Sequence, residues 1–360
     1  MKGLRKLKQF YNRYERYLIP GALIFGFVTD VLTFHLINFT SAMILLFLHL
    51  LFIGINIGVI NFYEAKKITG KFFSYWRVLA PLFLQYSFGN LFSAFLIFYS
   101  YSGSFFASWP FIIVIIFLMI GNEIFRTYNI RPTSQISVYF FALFSYLNLL
   151  FPNILKSLGT KIFLGSGVIS LTIILCFIIV LSSYVPEVRK KKKTLFISVG
   201  IIFSIMNLFY FLNLIPPIPL SIQNVGVYHE IKRVGNKYEV MGESCGSWLR
   251  CLFYHDKRHI STDRKKMYLF SAIYAPGGMK LDVIHEWQKF DGDKKKWETI
   301  TNIPFSVVGG RDVGYRWYTY YMVYQGLWRV NIKTSDGKTI GRKNFYVIKS
   351  EEIRMIEDVI

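Results

Sequence analysis

The sequence predicts a membrane-embedded, all-α bundle of about seven transmembrane helices followed by an all-β, immunoglobulin-like antiparallel sandwich. Three observations carry that reading. Apolar runs long enough to cross a hydrocarbon core recur through residues 1–216. The Lys and Arg residues between those runs fall almost wholly in alternate loops. Beyond the proline-rich stretch 215–220 the apolar pattern changes to alternation, the period of a half-buried strand.

Composition agrees. Of the 360 residues, 53% are hydrophobic, 35 are Phe and only 18% are charged, and the mean hydropathy is +0.37. That is more apolar matter than a soluble core of this size uses. A closed membrane barrel would need alternation that runs such as 169–181 lack. The net charge of +21 does not point to nucleic acid. Only seven of those charges belong to residues 217–360, where 23 Lys and Arg face 16 Asp and Glu. The others lie mostly between apolar runs, where membrane topology alone puts them.

Helices are predicted over residues 17–39, 41–62, 78–99, 106–124, 134–151, 162–184 and 194–220. At about 1.5 Å of rise per residue each reaches across roughly 30 Å of hydrocarbon, with the fifth the shortest. Residues 1–16 are basic enough for the start of a signal peptide, but the following run is long, contains Asp30 and leads straight into another span, so a retained first helix is expected. With seven crossings, 17 Lys and Arg lie in the loops on the side of the N-terminus and two on the other. The expected topology is therefore a cytoplasmic N-terminus and an extracytoplasmic C-terminal domain, with the lipid bilayer as the first partner. The domains are residues 1–216 for the helices, 217–225 for a Pro-containing linker and 226–350 for the sandwich.

In the C-terminal part, turn signals such as Gly235-Asn236, Pro276-Gly277-Gly278, Asp291-Gly292 and Asp336-Gly337 separate short alternating segments. Strands are predicted at 226–233, 237–242, 267–275, 280–289, 296–302, 315–323, 327–334 and 340–348, with 244–266 unassigned. Such spacing without a long helical pattern indicates a sandwich.

The motifs Gly309-Gly310-Arg311-Asp312-Val313-Gly314-Tyr315-Arg316, Gly326-Leu327-Trp328-Arg329-Val330 and Gly337-Lys338-Thr339-Ile340-Gly341-Arg342 with Phe345 stand behind Ala275-Pro276 and His285-Glu286-Trp287. Together with the Ile215-Pro216-Pro217-Ile218-Pro219-Leu220 junction, they make residues 215–348 resemble the C-terminal domain of a bacterial family catalogued only as a domain of unknown function. The resemblance implies several transmembrane helices ahead of that domain. It brings no activity, cofactor or catalytic residue.

Three sets of residues are candidates for chemistry. Cys245, Cys251, His255 and His259 have donor types that bind zinc, but C-x5-C is not a tight knuckle spacing, and in an oxidising compartment a local disulfide is the stronger expectation. Asp30, His49 and Asn56 are polar groups at expected membrane depth, where burial is costly; they face the bundle interior, as structural hydrogen-bonding groups or along a transport path. The Gly54 to Gly58 spacing and the row Gln85, Gly89, Ser93 fit close helix packing. In residues 315–324, aromatic side chains occupy both faces of one strand, so Arg316, Tyr318 and Tyr320, with Arg311 in the preceding turn, form a candidate ligand surface. His285 and Trp287, two apart, are expected as framework.

No nucleotide-binding, metalloprotease or nucleophile-elbow motif occurs, and neither catalytic residues nor a cofactor are assigned. The expected function is therefore binding: a membrane-anchored sandwich that engages an envelope protein or glycan. The alternative is a transporter or channel with an accessory external domain, and a membrane enzyme acting on lipid or cell-wall intermediates stands third.

Overall fold

The computed structural model describes residues 2–33, 39–101, 105–124, 132–216, 219–243, 256–260, 265–311, 314–349 and 355–360. They divide into a helical unit of residues 1–100 and 108–215 and a β unit that holds the strands, residues 216–360, together with residues 101–107.

The helical unit contains α1 (Lys2–Thr33), α2 (Phe39–Glu64), α3 (Lys71–Tyr101), α4 (Phe105–Ile124), α5 (Pro132–Leu155), α6 (Thr160–Tyr184), the single turn α7 (Pro186–Lys190) and α8 (Lys192–Phe211). Among the described residues five helices, α2, α3, α5, α6 and α8, are long and apolar enough to cross a membrane; α1 and α4 carry shorter apolar stretches at 20–30 and 109–118. Helix α1 begins well before the predicted residue 17, because the basic segment ahead of the apolar run continues the same helix. The last helix stops at Phe211 instead of reaching 220. Asn213 takes φ 58, and the Leu214 amide turns back to the Phe209 carbonyl at 2.9 Å. This left-handed stop closes the end of the helix.

The distribution of side chains is the reverse of a soluble bundle. On α6 the buried face carries Ser166, Gly167, Ser170 and Ser182 among its apolar members, while Val168, Ile169, Ile173, Ile179 and Val180 face outward. On α8, Ile197, Ile201, Ile205 and Leu208 are likewise exposed. Lipid tails are as apolar as leucine, so helices embedded in them associate through small residues and internal hydrogen bonds. Helix α5 is the most enclosed, buried almost continuously from Tyr139 to Leu149.

Glycine sets the closest approaches. A Cβ on Gly89 of α3 would stand 2.5 Å from the Leu23 carbonyl oxygen of α1, and one on Gly26 would stand 2.5 Å from the Tyr86 carbonyl oxygen of α3. Gly54 of α2 meets the Tyr139 hydroxyl of α5, whereas nothing lies within 4 Å of a Cβ on Gly58. Gly54 and Gly89 thus serve as expected, and Gly58 does not.

In the β unit, β1 (Ser221–Tyr228), β5 (Lys265–Tyr274) and β8 (Tyr315–Val323) form one sheet in the order β1-β5-β8. A second sheet joins β4 (Asp256–Ile260), β10 (Thr339–Lys349), β9 (Gly326–Thr334), β6 (Lys280–Asp291) and β7 (Lys296–Val308) in that order. A third combines β11 (Met355–Val359), β3 (Lys237–Glu243) and β2 (Glu230–Val234). Pairing is antiparallel except between β4 and β10, which run parallel, a departure from the all-antiparallel expectation. Strand β1 begins inside the stretch expected as linker, and the predicted strand 226–233 is broken at His229 into β1 and β2. Strand β7 continues through Pro304, which an edge strand tolerates because its outer amides need no partner.

The first two sheets meet through their inner faces. Trp287, Trp328, Val330, Ile332 and Phe345 from the five-stranded sheet are fully buried, as are Met267, Leu269 and Ile273 from the other. His285 bridges the layers: its ring nitrogens lie 3.0 Å from the Ser271 hydroxyl and 2.9 Å from the Thr319 hydroxyl. Trp287 adds a bond from its indole N–H to the same Thr319 oxygen at 3.3 Å. The third sheet packs Ile231, Tyr238 and Val240 against Phe270 and Ala272 on the opposite face of β5, so β5 is buried on both sides.

Two consequences are measurable. Gly89→Ala drives a methyl into the Leu23 carbonyl and is expected to lower the unfolding midpoint in detergent by the equivalent of about 1–3 kcal/mol; Gly58→Ala is expected to leave it in place, and equal effects would contradict the assigned contacts. Burial pushes the His285 imidazole down to about 3, so it is neutral when folded, whereas the unfolded ring titrates near 6.5. Its contribution to stability is therefore complete above about pH 6.5 and is lost as pH falls towards 3, by roughly 1.4 kcal/mol per pH unit in that window. His285→Gln is expected to flatten the pH dependence of the β unit's tryptophan-monitored melting; parallel wild-type and variant curves would refute this.

Candidate functional site

Strand β8 distributes its side chains by parity. Thr319 and Tyr321 point into the core between the first two sheets, where Tyr321 meets Trp287 and Trp328 at ring distances of 6.1 Å. Arg316, Tyr318, Tyr320 and Met322 point the other way. The sequence reading leaves that second face open, but the third sheet covers part of it. Tyr318 packs beside Tyr238 at 6.2 Å and Tyr268 at 6.0 Å, and is half-buried. Tyr320 is 52% exposed, flanked by Tyr268 at 5.5 Å and with the Lys266 ammonium 5.1 Å above its ring.

Where the β2–β3 hairpin approaches the start of β8, the two enclose a cavity of about 360 Å³ lined by Arg233, Asn236, Tyr238, Arg311, Gly314 and Arg316. None of these described lining residues is acidic. Arg316 donates to the Asn236 carbonyl at 3.2 Å, and Arg233 donates to the Gly235 carbonyl at 3.3 Å. The Arg311 guanidinium sits 5.2 Å from the Tyr315 ring centroid.

The turn that carries Arg311 is pinned. The Gly309 amide donates to the Met279 carbonyl at 2.9 Å and the Gly310 amide to the Ala275 carbonyl at 2.9 Å. A Cβ on Gly309 would come within 2.1 Å of the Pro276 carbonyl oxygen, and Gly314, at φ +78, has the Ile273 backbone 3.0 Å away. Only glycine takes both the close approach and the left-handed conformation without strain.

A second cationic cluster in the same unit includes a carboxylate. On the outward face of the five-stranded sheet, Lys333 pairs with Glu286 at 2.6 Å, Arg329 donates to Gln288 Oε1 at 2.5 Å and Arg342 donates to Asn331 Oδ1 at 2.6 Å. Asn331 in turn donates to Glu286 at 2.7 Å. Partial burial raises the Glu286 carboxyl, but the hydrogen bonds from Lys333 and Asn331 and the charges of Lys333 and Arg329 outweigh it and hold the group below the usual carboxylate range. Burial, reinforced by the neighbouring Arg342, brings Arg329 down to about 10. Each cation of this ladder has a side-chain acceptor. The three arginines at the cavity have backbone carbonyls and an aromatic ring.

The polar groups of the helical unit are strung along α3. Trp76 donates to Asn56 Oδ1 at 2.9 Å, and the Asn56 amide donates back to the Phe52 carbonyl at 2.8 Å. His49 Nδ1 lies 3.4 Å from the Ser87 hydroxyl. Asp30 is buried beside Ser93. At about 1.5 Å per residue, positions 76, 87 and 93 are spaced roughly 16 and 9 Å apart along the helix. The structure therefore places Asp30, His49 and Asn56 against one helix without bringing them together.

Cys245, Cys251 and His255 lie outside the described residues, and for His259 only its place on strand β4 is described. Of the four surface candidates, Arg311 and Arg316 share the cavity, Tyr318 is packed under the third sheet, and Tyr320 stands farther along β8. The sequence reading missed Arg233, Asn236 and Tyr238. Their only local signal is the Gly235-Asn236 turn, which says nothing of the strand it will face.

Residues 280–347 match the family described as "Protein of unknown function (DUF2914)", a span that holds Arg311 and Arg316 and leaves out Arg233. No curated protein matches the chain. Among solved structures, it is similar to a β-glucosidase from Kluyveromyces marxianus at 8% identity and a TM-score of 0.17, over 37% of this chain and 15% of that one. It is also similar to the Pseudomonas fluorescens alkylpurine DNA glycosylase AlkC bound to DNA with an abasic site analog, at 9% identity and a TM-score of 0.22, over 83% of this chain and 97% of that one. Neither likeness bears on fold or function.

Proposed function

We propose that this is an integral protein of a bacterial plasma membrane that crosses the bilayer seven times from a cytoplasmic N-terminus. On this reading an immunoglobulin-like β-sandwich is displayed outside, where it binds an envelope protein or glycan. The asymmetry of Lys and Arg among the loops supports the orientation. Counting only the five long helices leaves the number of crossings odd, so the β unit stays opposite the N-terminus on either count.

One observation carries the binding role: a cavity lined by Arg233, Arg311 and Arg316 opens on a β unit whose nearby surface shows Tyr320. Arg and Tyr are the side chains that concentrate binding energy at interfaces. The motifs around Arg311 and Trp328 support membership of the family of unknown function whose domain follows transmembrane helices.

The second reading, a transporter, is favoured by the buried polar side chains Gln85, Ser87, Asn90 and Ser93 along α3, with Asp30, His49 and Asn56 beside them. Polar groups at membrane depth mark pathways when they line a continuous route; the wide spacing of these three along α3 favours the structural role.

The test uses the full chain in phosphatidylcholine nanodiscs, immobilised and exposed to envelope glycan fragments and solubilised envelope proteins. Retention above empty nanodiscs, reduced by Tyr320→Ala with an unchanged melting midpoint, is the expected result. No retention, together with a proton flux in proteoliposomes that Asp30→Asn abolishes, would replace the binding reading with the transporter.

A further inference from the structure

We infer that the cavity between the β2–β3 hairpin and the start of β8 is a binding site for a phosphate-type oxyanion, a phosphomonoester or phosphodiester group. The inference deepens the binding role proposed above and rests on it. It adds the chemistry that the ligand presents.

The first argument is charge. Three arginines, Arg233 on β2, Arg311 in the glycine turn and Arg316 on β8, line one cavity, and no acidic residue is among the described residues that line it. Like charges gathered at one place repel and return no stability of their own. The cluster on the five-stranded sheet includes a carboxylate, Glu286, paired with Lys333 at 2.6 Å, whereas no carboxylate is among the described residues that line the cavity. At the cavity the only hydrogen-bond acceptors taken up by these arginines among the described residues are two main-chain carbonyls, those of Gly235 and Asn236.

The second argument is geometry. A guanidinium presents its donors in a planar fork that fits the oxygens of phosphate or carboxylate in pairs. One fork satisfies a carboxylate, whereas three match a group with three or four oxygens and up to two charges. The cavity, at about 360 Å³, leaves room beyond the oxyanion for the moiety that carries it, with the Tyr238 ring as part of the wall.

The third argument is preorganisation. The turn bearing Arg311 is fixed by the Gly309 and Gly310 amide bonds and by a left-handed Gly314 hard against Ile273. It presents an exposed arginine whose guanidinium lies 5.2 Å from the Tyr315 ring centroid. Anchoring the backbone on either side of the cation lowers the ordering cost of binding.

The same phosphate chemistry is offered by a lipid headgroup and by a phosphate-bearing envelope polymer, and the experiment separates the two. The full chain in phosphatidylcholine nanodiscs is titrated by equilibrium dialysis with labelled inorganic phosphate and with a soluble glycerol-phosphate oligomer. Its β unit is also challenged with vesicles of phosphatidylglycerol or of phosphatidylcholine. Saturable phosphate binding is expected, weakened roughly 10-fold or more by Arg311→Gln and by Arg233→Gln, the scale of one charged hydrogen bond. Lys296→Gln, which removes an equal charge from the exposed start of β7, is expected to leave it unchanged. Preference for the oligomer assigns the polymer, and preference for phosphatidylglycerol vesicles assigns the headgroup.

Absence of binding, or an equal loss in Lys296→Gln, overturns the site. So does a gain of about 10-fold in Asp312→Asn, which would show the neighbouring carboxylate already neutralising the arginines on the scale of one charged hydrogen bond. Should Arg233→Gln fail to fold, Arg311→Gln carries the test, because its side chain is exposed. Glycan or protein retention that survives Arg311→Gln would leave the binding role standing and remove the phosphate site. Phosphate binding without any retention would do the opposite.

Discussion

Hydrocarbon offers no hydrogen bonds, and the helical unit is organised by that constraint. Polar side chains placed at depth need internal partners, and several of them find one on a single helix. Helix α3 gives Trp76 to Asn56, Ser87 to His49 and a seat for Asp30 beside Ser93. It also takes the closest backbone contact, through Gly89 against Leu23. Because the polar and small residues are turned inward, the outer surface of α6 and α8 is left to branched apolar side chains. The composition that looks excessive for a soluble protein is what an outward-facing apolar surface requires.

The β unit obeys the opposite rule, with water outside and a dry interior. Its first two sheets are joined by a neutral histidine, His285, held between Ser271 and Thr319, and by Trp287 beside it. A third sheet then closes over the back of β5 and β8. That extra layer changes the β8 surface: it half-buries Tyr318 and, at its edge, brings Arg233 and Asn236 to Arg316 and Arg311. The cavity is a by-product of layering, made where a hairpin overhangs a strand.

Local patterns made much of this legible. Alternation placed 315–323 on the same residues as β8, and 280–289, 327–334 and 340–348 lie within β6, β9 and β10. Unbroken apolar runs located the long helices. What escaped is what depends on distant partners. No turn residue marks the break at His229; it is set by pairing, since the His229 amide bonds to the Met241 carbonyl at 2.8 Å. The short strands β4 and β11 exist through their contacts with β10 and β3. Arg316 and Asn236 are 80 positions apart, so the sequence offered Arg311 and Arg316 as candidates but could not supply Arg233 or show that Tyr318 would be covered. Gly58 follows a packing spacing, yet among the described residues nothing stands within 4 Å of where its Cβ would be, which shows that spacing alone identifies a candidate and not a close approach.

The central claim is that the arginine-lined face of the β unit looks away from the cytoplasm while the N-terminal basic segment looks into it. It is tested most directly by thiol labelling with a membrane-impermeant maleimide. Cys176, Cys245 and Cys251 are first replaced by Ser, and one new cysteine is then placed at exposed Lys295 or at Lys8. Intact spheroplasts should label the Lys295→Cys protein at once and the Lys8→Cys protein only after permeabilisation. Labelling of Lys295→Cys that appears only in inverted vesicles would contradict the account.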